Sequence, residues 1–249
     1  MQEGLHYHYN HLGSSFYDKD AIRIIYLQPS LTLEAESRCS LRDTTLSNSL
    51  SYTALSYVWG DANDKVPITI AGKRLEITAS LECNLRHIRG QVSPIPVWVD
   101  AVCNNQNDFH DRNRQVRLMG DIYSTASKTV IFLGLLSSPK CDSDLHFAGW
   151  KSFLPSTIVL WPAARFESYR EKVVEDEILN RPWFRRVWIL QELILSNNPW
   201  LQFGNYNIKW EDFLEGASPT SRLANTFRPG NVLPITSDRR RILINMNDS

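Results

Sequence analysis

Glu192 closes the run Arg181-Pro182-Trp183-Phe184-Arg185-Arg186-Val187-Trp188-Ile189-Leu190-Gln191-Glu192, and those residue types suit a site for a charged ligand. At about 100° per residue, a helix over 181–195 puts Trp183, Val187, Leu190 and Ile194 on one stripe. Arg181, Arg185, Trp188 and Glu192 share a second stripe, about 200° away. The first stripe is a core face. The second reads in two ways. It is a half-exposed face, with an Arg–Glu ion pair and an indole over apolar surface. Alternatively it is a carboxylate beside an aromatic wall and two guanidiniums, which fits an anionic or nucleotide-like ligand. A carboxylate so placed can stabilise an oxocarbenium ion developing at a ribosyl carbon.

The elements that must position this stripe are read from the apolar pattern. Ala21 to Leu27 is a strand stopped by Pro29, and Glu36 to Leu46 is a weaker extended stretch. Ala54 to Trp59 is a mostly apolar strand ending at Gly60-Asp61. Residues 66–71 and 75–77 form a hairpin about Gly72-Lys73. A helix runs from Ser80, as N-cap, to Gly90, as C′ residue. Pro96 to Val102 is a near-continuous apolar strand. The helix at 112–126 begins near Asp108 and Asp111, where carboxylates favour a helix N-terminus. Thr129 to Leu133 is a further buried strand, closed by Gly134.

Alternating strands and helices predict an α/β fold with an open, mainly parallel sheet covered by helices on both faces. Right-handed crossovers gather the strand C-termini on one edge, where ligands of such sheets bind. That edge receives Trp59-Gly60-Asp61, Asn104-Asn105-Gln106 and Gly134. Asp100, next to it, is either a site carboxylate or an acceptor for backbone N–H groups of the following loop.

Composition removes several classes. The 249 residues carry 27 Lys+Arg against 27 Asp+Glu, which argues against a nucleic-acid binder working by phosphate neutralisation. No run of about 18 apolar residues exists, and the N-terminus lacks a secretory pattern, so a cytoplasmic chain is expected. Cys39, Cys83, Cys103 and Cys141 form no zinc or disulfide framework. His6, His8 and His11 cluster as a metal site would, or lie scattered on a mobile terminus. A Cys103–His110 nucleophile pair has only its seven-residue spacing in its favour. No GxSxG, HExxH or phosphate-loop pattern occurs, and neither metal nor cofactor is expected.

Three ordered motifs carry a family resemblance. Tyr52 to Asp61 (YTALSYVWGD), Trp98 to Asp108 (WVDAVCNNQND) followed by Arg112, Gln115-Val116, Met119 and Ile122-Tyr123, and Arg181 to Glu192 resemble those of the fungal heterokaryon-incompatibility (HET) domain. Members usually carry an aliphatic residue in place of Asn104 and Glu in place of Asp111. The resemblance divides the chain into an N-terminal β extension (1–50), a HET domain (51–210) and a basic tail (211–249). Four of the eight tryptophans, Trp59, Trp98, Trp183 and Trp188, fall inside the motifs.

The family is distantly similar to Toll/interleukin-1 receptor (TIR) domains, which implies a TIR-like or flavodoxin-like fold. Ser56-Tyr57 before Gly60-Asp61 resembles their first strand, and Trp188 with Glu192 resembles their Trp-Cys-x-x-Glu helix. The resemblance implies a role in fungal non-self recognition and regulated cell death. It makes NAD a candidate substrate and Glu192 its catalytic carboxylate. Ser56, Asp61, Asp100 and Asn105 then border the substrate, Trp59 or Trp188 stacks on a ring, and Arg181 or Arg185 binds the diphosphate. The competing implication is a non-catalytic module that assembles with copies of itself or with a signalling partner.

Overall fold

The computed structural model describes residues 6–10, 12, 19–48, 50–135, 178, 180–186 and 190–216. The chain divides into two units, Met1–Leu136 with Arg185–Lys209, and Ser137–Phe184 with Trp210–Ser249.

The first unit is built on one nine-stranded sheet. In chain order it contains β1 (Ala21–Leu27), β2 (Arg38–Thr45), β3 (Thr53–Tyr57), β4 (Lys65–Ile70), β5 (Lys73–Thr78), α1 (Ala79–Ile88), β6 (Ile95–Trp98), α2 (Asp100–Cys103), α3 (Phe109–Thr125), β7 (Lys128–Phe132), β8 (Pro199–Phe203) and β9 (Tyr206–Lys209). The strand order is β5-β4-β2-β1-β6-β3-β7-β8-β9.

The α/β class holds, but the sheet is mixed, not mainly parallel. Parallel ladders join β6-β3-β7-β8 and β2-β4, whereas β1-β2, β1-β6, β4-β5 and β8-β9 are antiparallel. The reason is the connection type. A parallel neighbour needs a long crossover, and β1 reaches β2 through a loop with no helix. β1 and β2, expected as an extension, lie inside the sheet, and β1 is buried along nearly its whole length. That explains its run of Ile22, Ile24, Ile25 and Leu27, all 0% exposed.

The parallel strands set the candidate ligand edge. Taken in chain order, β3, β6, β7 and β8 lie in space as β6-β3-β7-β8. The chain therefore leaves β3 on one side and returns to its other side. The crevice beyond the carboxyl ends at such a reversal is where open α/β sheets bind ligands. Ser56 and Tyr57 end β3 there, in register with Ile131 and Phe132 of β7.

Local differences from the sequence reading have physical causes. Thr78, not Ser80, caps α1 by accepting from Leu81 N, while the Ser80 hydroxyl donates to Val58 O at 2.7 Å. Gly90 is not in the left-handed region. A Cβ there would stand 2.6 Å from Ser93 O, so the glycine answers a close backbone approach. The hairpin turn is Ala71-Gly72, both at positive φ (50° and 81°), one residue earlier than expected. The strand expected over 96–102 stops at Trp98, and Asp100–Cys103 makes a helical turn. α3 starts at Phe109 because the Asp108 carboxylate accepts from His110 N and Asp111 N. The β8-β9 hairpin, turning at Gly204 with φ 51°, had no counterpart in the sequence reading.

In the second unit, Trp183 is fully buried and meets Phe184 edge-on at 5.1 Å. A helix spans Trp210–Gly216, where Trp210 and Phe213 pair at 5.5 Å. Most of the expected basic tail, with its arginines, lies outside the described residues, as do His11 and Cys141.

A buried ion pair locks β1 to α3. The Arg23 guanidinium, 2% exposed, donates to Asp111 Oδ2 at 2.6 Å, to Cys103 O and to Asn10 O. Asp111 also accepts from Asn105 N and Arg114 Nη2. Asp111→Asn leaves the buried Arg23 charge only the distant, exposed Asp43 carboxylate at 3.8 Å, and we expect about 3 kcal/mol of lost unfolding free energy in urea titrations. A loss under about 1 kcal/mol contradicts this reading.

Candidate functional site

β3 delivers the first component. Its pleat alternates side chains between faces, and Ser56, 1% exposed, donates to Glu192 Oε2 at 2.5 Å. Glu192 lies on a π-helical turn, Leu190–Ile194, and is 2% exposed. Burying a carboxylate this far costs several kcal/mol unless its oxygens are met by donors and charge. Arg186 supplies both. Its Nη2 donates to Oε1 at 3.1 Å and its Nη1 to Oε2 at 3.3 Å, a two-pronged charge-assisted grip. The same Nη1 donates to Tyr57 O at 2.7 Å, which ties the grip to the end of β3.

A second carboxylate stands beside the first. Asp100 opens α2 directly after β6, and Trp59 Nε1 donates to its Oδ2 at 3.1 Å. Ala101 N donates to Oδ1 at 2.8 Å. Burial pushes the Asp100 carboxyl up to about 6, against those two hydrogen bonds; the charge of Glu192 adds to the rise and Arg186 opposes it. Burial likewise raises the phenols of Tyr57 and Tyr123, the first with help from Asp100 and the second from Glu192 and Asp100. Tyr123 packs edge-on against Trp98 at 5.6 Å. Glu192, Asp100, Arg186, Tyr57 and Tyr123 thus share one electrostatic neighbourhood. A carboxyl raised to about 6 in electrostatic reach of a second carboxylate is raw material for acid–base chemistry.

Of the residues selected from sequence, Ser56, Trp59, Asp100 and Glu192 are placed here. Asp61 is exposed and builds a turn, its Oδ1 accepting from Asn63 N at 2.9 Å. Asn105 lines a separate cavity of about 330 Å³ with Arg23 and Asp111. Arg181 is half-buried in the second unit, and Arg185 is exposed. Trp188 lies outside the described residues.

The stripe drawn from an ideal helix therefore requires correction. Pro182–Arg185 is a 3₁₀ turn, Arg186 is not helical, and the π turn follows at Leu190. Arg186, six residues before Glu192 and outside any helix, is its partner in place of Arg185. Arg186, Tyr57 and Tyr123 stood inside the three motifs but were not selected as site residues. Tyr57-Val58-Trp59 was visible as a strand end, but nothing local marks a carbonyl that anchors a distant guanidinium.

Other chemistry is not assembled. The Cys103 thiol, pushed up to about 12 by burial, accepts from Val99 N, and no contact with His110 is made. Among the described residues no three His, Cys, Asp or Glu side chains converge on a metal position.

The profile of the family described as Heterokaryon incompatibility protein (HET) matches residues 52–192, more than half of the 249. The chain belongs to the HET family. The match ends on Glu192 and contains Ser56, Asp100 and Arg186. It leaves out β1, β2, β8 and β9 of the same sheet. Over 215 residues the chain is 38% identical to "Heterokaryon incompatibility protein 6, OR allele" of Neurospora crassa, covering 70% of this chain and 32% of that protein. The chain thus spans about a third of the length of this HET relative. No solved structure matches it.

Two substitutions test the geometry. Arg186→Met leaves Glu192 buried without its counter-charge and should lower unfolding free energy by about 3–5 kcal/mol. Arg185→Met, at an exposed position, should stay within about 0.5 kcal/mol of the parent. Equal effects in urea titrations would contradict the assigned pairing.

The third test uses pH. The unfolded chain releases the Asp100 proton near about 4, and the folded chain holds it to about 6. Folding therefore carries no charge penalty at Asp100 below that window and the full penalty above it. The unfolding free energy of Asp100→Asn relative to the parent should move in the variant's favour between pH 4 and pH 7. A difference independent of pH contradicts the assignment.

Proposed function

We propose that the chain acts in fungal non-self recognition and regulated cell death, and that its chemistry is cleavage of NAD at Glu192. HET-family membership supports the biological role. The observation that carries the chemistry is the Glu192 carboxylate held by Ser56 and Arg186 at the carboxyl edge of β3, at the reversal in strand order.

In this reading the bond between nicotinamide nitrogen and ribose C1′ breaks, and its electron pair leaves with nicotinamide. Glu192 offsets the positive charge that develops on the ribosyl ring, and water then adds at C1′. The products are ADP-ribose, nicotinamide and one proton. Arg186 fixes the carboxylate and, through Tyr57 O, its place at the end of β3. Trp59, 41% exposed, offers a ring face for stacking. We read the β6-β3-β7-β8 portion as the TIR-like, flavodoxin-like part of the fold.

One observation favours the alternative of a non-catalytic assembly module. Both Glu192 oxygens are already met by protein donors, as in a structural ion pair.

Purified protein incubated with NAD at high concentration should release nicotinamide. Glu192→Gln should lower that release by at least about 100-fold. Absence of turnover in every assembly state, with cell killing intact in Glu192→Gln, overturns the enzyme in favour of the module.

A further inference from the structure

The opposite side of β3 carries a second concavity. Thr53 and Ser56 lie three positions apart on β3 and so point to opposite faces. Thr53 joins Lys128 and Val130 of β7 in lining a groove of about 630 Å³, walled by the last turn of α1. Its size is that of a small-molecule site.

The charge in this groove is one-sided. Lys128 and Arg86 line it, with no Asp or Glu among the lining side chains. Lys128 is half-buried, and burial lowers its ammonium's pKa. Among the described residues its ammonium meets no carboxylate or hydrogen-bond acceptor and sits 4.3 Å over the Trp200 ring. Arg86 spends only Nε on Glu82, at 2.7 Å, leaving its two terminal nitrogens without protein acceptors among the described residues. Nearby, Arg89 has its pKa lowered by burial and then by Arg86. Glu82 answers the charge of Arg86 at 2.6 Å, so Lys128 is the cation of this groove without a carboxylate partner among the described residues, and an anion beside it and the free edge of the Arg86 guanidinium would be stabilised.

The rest of the lining selects the kind of anion. Leu31, 83% exposed, and Leu33 present apolar surface, while Asn205 and Asn207 add amide donors and acceptors. A free inorganic ion would leave these groups without a role. We propose that this groove is a binding site for a small phosphorylated ligand of nucleoside monophosphate size. The phosphate sits between Lys128 and Arg86, and the polar and planar remainder lies against the amides and leucines.

The probe is AMP, compared with adenosine and inorganic phosphate at equal concentration, with thermal unfolding and calorimetry as readouts. AMP should raise Tm in a concentration-dependent way, and adenosine should not. Lys128→Met should weaken AMP by at least about tenfold, while Lys128→Arg should retain binding. Asn207→Asp, a change at an exposed position that adds a carboxylate to the groove, should weaken AMP comparably and serves if Lys128→Met fails to fold. Glu192→Gln should leave the response intact. The proposal is overturned by no response to AMP, by an equal response to inorganic phosphate, by an unchanged response in the groove variants, or by a response lost in Glu192→Gln alone.

Discussion

A glutamate 2% exposed can persist in the folded chain only if its charge is answered, and the carboxyl edge of β3 is arranged to answer it. Ser56 must end β3 facing Glu192, and Arg186 must reach both carboxylate oxygens and Tyr57 O. Each demand constrains a different part of the chain. The strand needs its parallel partners β6 and β7 to fix Ser56. Arg186 lies outside any helix and Glu192 on a π turn, and the two meet although six residues separate them. A regular helix would aim Arg186 about 120° away from Glu192.

A second buried charge pair does the same work at the centre of the sheet. Arg23 on β1 meets Asp111 on α3, and Asp111 in turn takes the Asn105 amide. β1 precedes the region matched by the HET family, yet it supplies the cation that Asp111 requires. The family core and the preceding strands are therefore one folding problem. Asp111 meets Arg23 directly at 2.6 Å.

What was legible in the sequence is what local patterns determine. Ala21–Leu27, Thr53–Tyr57 and Lys128–Phe132 form strands because each is a bounded apolar run, and the Ala71-Gly72 turn follows from its glycine. Glu192, Ser56, Trp59 and Asp100 were selected and do come to one edge. What escaped depends on non-local pairing. Neither the antiparallel placement of β1 nor the β8-β9 hairpin follows from composition, because a strand's direction is set by its neighbour. Asp100–Cys103 continued an apolar run and read as strand, since short apolar runs do not separate strand from helix. Arg186 escaped because the 3.6-residue period was applied to a segment that does not keep it.

Arg186 and Glu192 hold one another at the end of β3, and this pair organises the carboxyl edge of that strand. A double-mutant cycle on unfolding free energy, with Arg186→Met, Glu192→Gln and the combined variant, measures it without reference to activity. The account predicts a coupling of at least about 1 kcal/mol, with the double variant more stable than the sum of the single losses implies. Additive losses, with coupling within about 0.3 kcal/mol of zero, would contradict it.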